Sequence, residues 1–160
     1  MHGVLPVSEL ETMLRILHVG ITFNASTMAQ APQICLTQPD MDRLLELIEA
    51  YPGKRFEQLE TELLRANVVP RGKIPHDLVT MNSRVVFENM TTGERREVTL
   101  VYPGMADIDA GRISVLVPVG TALLGLRVGQ SIDWEGPGGG KRRYRIAAVP
   151  YQPEAAGEDR

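Results

Sequence analysis

Apolar residues along this chain follow two successive rhythms. Between residues 37 and 67 they recur at helical spacing; from residue 78 onward they alternate at strand spacing. In the first stretch Thr37 stands where an N-cap belongs. Pro39 suits a first turn, and Asp40 and Asp42 favour the positive helix start. Met41, Leu44, Leu45 and Ile48 form one apolar stripe. "YPGK" at 51–54 opposes continuation of the helix. A second helix is predicted over 55–67, with Phe56, Leu59, Leu63 and Leu64 apolar. Two amphipathic helices across a short break predict an antiparallel helical hairpin, a short coiled coil. Arms of about a dozen residues reach only about 18 Å. A pair that short needs a neighbour to pack on.

"VVPRGKIPHD" at 68–77 reads as a linker. Strands are predicted over 78–88, 97–102, 113–117, 131–134 and 143–149, with turns at "TTGE" and "GPGGG", as in an antiparallel meander. Between the third and fourth lies "PVGTALLGLRVGQ". There Pro118 can open a short helix, and Gly125 or Gly129 can end it. One helix over a small sheet makes the class α+β. The divisions expected are an extra segment at 1–33, a hairpin at 34–70, a sheet domain at 71–152 and a flexible polar tail at 153–160. Within 1–33, Ser8 and Glu11 have capping-box spacing ahead of Leu10, Met13, Leu14 and Leu17. A short helix is one reading of this segment. An over-long reading of the gene, with the true start at Met28, is the other.

The stretch "IPHDLVTMNSRVVFENM" sets Met81, Asn82 and Ser83 inside the first predicted strand. Met81 is expected in the core. Asn82 and Ser83 are expected to hydrogen-bond the linker or a partner.

Composition narrows the function classes. The formal net charge of −3 argues against a general nucleic-acid binder, and no direct sequence-specific binding is expected. A single cysteine, Cys35, excludes an internal disulfide and a cysteine zinc cluster, and fits a reducing, cytoplasmic setting. No apolar run reaches the length of a membrane span. "GPGGG" lacks the spacing and the following helix of a phosphate loop. "DIDAG" at 107–111 lacks the later ligands of a calcium loop. His2, His18 and His76 stand in no catalytic motif. Asp133 and Glu135 share a strand face opposite Trp134, within reach of Lys141, Arg142 and Arg143 across a turn. That reads as a charged outer surface rather than a carboxylate pair for chemistry. No enzyme and no cofactor is indicated.

Three separated segments carry a resemblance: "IPHDLVTMNSRVVFENMTTGERREVTLVYP", "VLVPVGTALLGLRVGQSIDWEGPGG" and "YQPEAAG". In this order they resemble the regulator of nucleoside diphosphate kinase family, Rnk, which is related to the transcript-cleavage factors GreA and GreB. The resemblance covers most of residues 36–157 and does not extend to 1–33. It implies an N-terminal coiled-coil hairpin and a C-terminal FKBP-like domain that grips bacterial RNA polymerase at its secondary channel. In the cleavage factors an acidic hairpin tip helps hold magnesium.

Here the corresponding turn is Tyr51, Pro52, Gly53, Lys54 and Arg55, whose two cations repel a divalent ion. The resemblance therefore implies a monomeric polymerase-binding regulator without cleavage activity, competing with Gre factors and influencing the kinase indirectly. It also implies a contact at the lead-in to the C-terminal helix: Val117, Pro118, Val119, Gly120 and Leu123, continuing to Leu124. The same FKBP-like fold raises the alternative of a peptidyl-prolyl isomerase.

Overall fold

The computed structural model describes residues 34–51, 56–135 and 141–157. The helix expected within 1–33, the hairpin residues 52–55 and the turn at 136–140 lie outside the described residues. Strands β1 (Cys35–Leu36) and β2 (Asn67–Val68) flank helices α1 (Gln38–Glu49) and α2 (Glu57–Leu64). Strands β3 (Arg84–Asn89), β4 (Arg95–Val101) and β5 (Arg112–Ser114) follow, then helix α3 (Pro118–Leu123). Strands β6 (Ser131–Glu135) and β7 (Lys141–Tyr151) complete the domain.

The five later strands form one sheet in the order β5-β4-β3-β7-β6. Alternation along the middle of its strands makes it one-sided. Val85, Phe87, Val98, Leu100, Tyr144 and Ile146 point into the core. The rings of Phe87 and Tyr144 meet edge to face at 5.6 Å. On the outer face Glu88 lies between Arg145 at 3.1 Å and Arg95 at 3.5 Å. Arg143 grips Asp133 through two nitrogens, as the cross-turn pairing predicts.

Two expectations about strands fail. The expected antiparallel meander is broken twice: β7 returns to pair with β3, and at the edge β5 pairs with β4 in parallel. After β4 the chain turns through a 3-10 helix at Pro103–Met105. It doubles back before β5, with Asp107 and Arg112 exchanging both backbone hydrogen bonds. The first sheet strand begins at Arg84 rather than at 78, because residues 80–83 form a turn. Asn82 sits at φ 64, a left-handed conformation that asparagine tolerates. Met81 is buried as expected.

The helical pair is shorter than its sequence pattern. Thr37 caps α1, its hydroxyl accepting from the Asp40 amide at 3.4 Å. Helix α2 has no side-chain cap and spans 8 residues. It stops early because Asn67 donates to Ile34 and Val69 to Leu36, closing a small parallel β1–β2 pair at the hairpin base. Leu44, Leu59 and Leu63 bury into the same apolar cluster as Ile34, Leu36, Met81, Phe87 and Leu123. At roughly 1.5–3 kcal/mol per buried leucine, that packing outweighs the helices' own propensity. Among the described residues no helix is long and apolar enough to cross a membrane.

The segment expected to trail away from residue 153 is held through 157. Gln152 and Pro153 are buried, and residues 153–157 form turns.

Candidate partner-docking site

Helix α3 opens at Pro118 after the extended Val117, and its underside is the core. Val119, Leu123 and Leu124 are buried. The Thr121 hydroxyl donates to the Val115 carbonyl at 2.6 Å, tying the helix back to the strand it follows. At Gly120 a Cβ would fall on the Ser114 carbonyl oxygen, so the residue is needed for close packing. The sequence-derived contact set is corrected accordingly. Val119, Gly120 and Leu123 are buried, whereas Val117, just ahead of the helix, is half-buried.

Ser83 is likewise corrected. It is fully buried, and its hydroxyl accepts from the Thr80 amide at 3.0 Å. Asn82 is half-buried, and its amide donates to Leu100.

What the sequence reading missed is the 102–111 connection. Met105 is 60% exposed and Ile108 is 37% exposed. Arg112 holds this loop in shape, donating from Nε to the Met105 carbonyl at 2.9 Å and from Nη2 to Asp107 at 3.3 Å. Asp107 also accepts from the Ala110 amide, so "DIDAG" is a self-capped turn. Among the described residues no group of three or more His, Cys, Asp or Glu could hold a metal ion. The available signal was two apolar residues in a stretch otherwise composed for turns.

The start of this loop also meets the hairpin. Tyr102 donates its phenol to the buried Asp40 of α1 at 2.9 Å. Burial pushes the Tyr102 phenol well above its ordinary range, the Asp40 charge adds to the shift, and Arg43 opposes it. The Val115 amide donates to Val101, so the lead-in to α3 lies at the same end of the sheet as Tyr102 and the α1 start.

The hairpin presents a mixed outer face, on which Leu45 and Leu64 of the expected apolar stripes are exposed among carboxylates. Asp42, Glu46, Glu49, Glu57 and Glu60 are exposed. Tyr51, 39% exposed, meets Phe56 edge to face at 6.2 Å. Of the expected tip only Tyr51 lies within the described residues. Elsewhere, His76 is exposed and Cys35 half-buried. Asp77 is gripped by Arg127 through two nitrogens, which holds its carboxyl below the usual range.

Two family models match in sequence order: the Rnk N-terminus over residues 32–69, and the transcription elongation factor GreA/GreB C-terminal model over 74–151. The regulator of nucleoside diphosphate kinase of Escherichia coli K12 is 47% identical over 130 residues, covering 79% of this chain and 96% of that relative. The chain belongs to the regulator of nucleoside diphosphate kinase (Rnk) family. Similarity to transcription elongation factor GreA is more partial. The Beijerinckia indica factor is 34% identical over 98 residues, covering 61% of this Rnk-family chain and 62% of the factor. A solved structure, a prokaryotic transcription elongation factor GreA/GreB from Nitrosomonas europaea, is 45% identical with a TM-score of 0.68. The match covers 76% of this chain and 100% of that one. The relatives named here are regulators and transcription factors.

Proposed function

We propose that this Rnk-family protein docks on bacterial RNA polymerase at the mouth of the secondary channel and competes there with Gre factors without stimulating transcript cleavage. The observation that carries the reading is the length of the hairpin. Helix α1 has 12 residues and α2 has 8, so the arms reach about 18 Å and about 12 Å. Such arms stop short of a buried active centre. The sequence at the bend agrees. Lys54 and Arg55 supply cations where Mg²⁺ would need carboxylate oxygens. The GreA/GreB C-terminal match over 74–151 supports the polymerase as partner.

The docking patch is assigned to Val117 and Pro118 at the start of α3, together with Met105 and Ile108. Met105 and Ile108, exposed on a loop braced by Arg112, lose little freedom on binding. An effect on nucleoside diphosphate kinase then arises indirectly, through transcription. The isomerase reading finds no support: Phe87 and Tyr144 pack against each other in the core, and Tyr102 is committed to Asp40.

The test is retention on polymerase core, with and without Gre factor as competitor. Wild type should be retained and displaced. Met105→Asp or Ile108→Asp should weaken retention about ten-fold, the effect of losing one good interface anchor. Absence of wild-type retention would sink the reading.

A further inference from the structure

The segment after β7 is tied to the turn region ahead of β3 by three hydrogen bonds. The Gln152 side-chain amide donates to the carbonyls of Pro75 at 2.8 Å and Leu78 at 2.7 Å, and Gln152 itself is 3% exposed. Two steps on, the Glu154 carboxylate accepts from the Thr80 hydroxyl at 2.8 Å. Thr80 and Ser83 share a hydroxyl contact of 2.9 Å. The direction of each proton follows. Thr80 donates to the carboxylate, so Ser83 must donate to Thr80. The Ser83 oxygen is then free to accept the Thr80 amide at 3.0 Å. Glu154 is thus the terminal, charged acceptor of a chain that holds the 80–83 turn in shape.

The same stretch fastens the exit of α3. Val79 donates to Leu126 and accepts from Gly125; Val128 donates to Asp77. Leu78 bridges to Arg127. Gly125, at φ 81, leaves room for Ile34, which leads into β1, where a Cβ would overlap its side chain. On its other side the turn joins the sheet through Asn82 and Leu100, and through Leu100 and Ser83.

We propose that residues 152–157 form a clasp that sets the order of the 77–83 segment and, through it, of the α3 exit. Opening the clasp loosens α3 and the β1 base beneath the hairpin while the central sheet stays intact. The device stands apart from the polymerase reading. It concerns internal order and would hold for any partner that uses this face.

Amide hydrogen exchange on the full chain tests it, comparing wild type with Glu154→Ala and with Thr80→Val. Each variant removes one end of the same hydrogen bond. In both, the amides of Val79, Gly125, Leu126 and Val128 should exchange about ten-fold faster, as expected for loss of a hydrogen bond to a charged acceptor. The β3, β4 and β7 ladder amides should keep their wild-type rates. Unchanged rates at the α3 exit would overturn the proposal, as would equal acceleration across the sheet. If Thr80→Val proves too destabilised to measure, Glu154→Ala decides alone, because Glu154 is only half-buried.

Discussion

The helical hairpin and the sheet domain solve the same problem by different means. In the sheet domain, buried residues on β3, β4 and β7 interlock with α3, and each strand in the middle of the sheet has neighbours on both sides. The hairpin buries Leu44, Leu59 and Leu63 in that core and packs only partly buried residues such as Met41, Ile48 and Phe56 around them, and α2 carries no side-chain cap. Its own β1–β2 pair closes the base, and it is joined to the sheet domain by Ile34 against Gly125 and by Asp40 with Tyr102. The difference teaches that the sheet domain specifies itself, whereas the hairpin is a graft whose shape depends on its attachment.

The sharpest way to break that dependence is at the joint. Gly125→Ala should cost on the order of 3 kcal/mol, because it combines a clash with Ile34 and a left-handed φ. Urea unfolding measures the loss, and loss of hairpin helicity should precede loss of the sheet. Next, Leu44→Ala should cost about 2–5 kcal/mol by leaving a cavity in the shared core. A loosely attached hairpin would show a much smaller loss.

Tyr102→Phe should cost about 1–3 kcal/mol by leaving Asp40 without the phenol. Its pH dependence has a definite sign. The folded phenol binds its proton more tightly than the unfolded one. Its contribution is therefore complete below the unfolded value of about 10 and is lost as pH rises above it. Wild type should lose stability in that alkaline window, and Tyr102→Phe should lose less. Asp77 has the opposite sign. Its carboxyl is held low by Arg127, so its contribution is present above about pH 4 and fades as pH falls through the folded value. Asp77→Asn should lower stability at neutral pH only slightly and flatten the acid limb, because both partners are well exposed.

Much of this arrangement was legible in the residues. Thr37 caps its helix, Met81 is buried, Gly125 ends α3, and Asp133 meets Arg143, because each depends on neighbours close in sequence or directly across a turn. What escaped depends on reversals, close approaches and long-range pairings that periodicity does not carry. The parallel β5 is set by a reversal at Asp107 and Arg112 that alternation does not encode. The short α2 is set by Ile34 and Leu36 taking the amides of Asn67 and Val69. Val119, Gly120 and Leu123 face inward, and at Gly120 the Ser114 carbonyl leaves no room for a Cβ. The clasp joins residues more than 70 positions apart. The family resemblance pointed to the lead-in to α3, and side-chain burial separates the buried Val119, Gly120 and Leu123 from the half-buried Val117.

The central claim is a protein that occupies the Gre position and does no cleavage there. The most direct measurement is transcript cleavage by backtracked polymerase complexes, with this protein alone and titrated against Gre factor. The protein alone should give no cleavage above background, and Gre-stimulated cleavage should fall progressively as its concentration rises. Stimulation by the protein alone, or Gre-stimulated cleavage that persists at saturating amounts of it, would contradict the account.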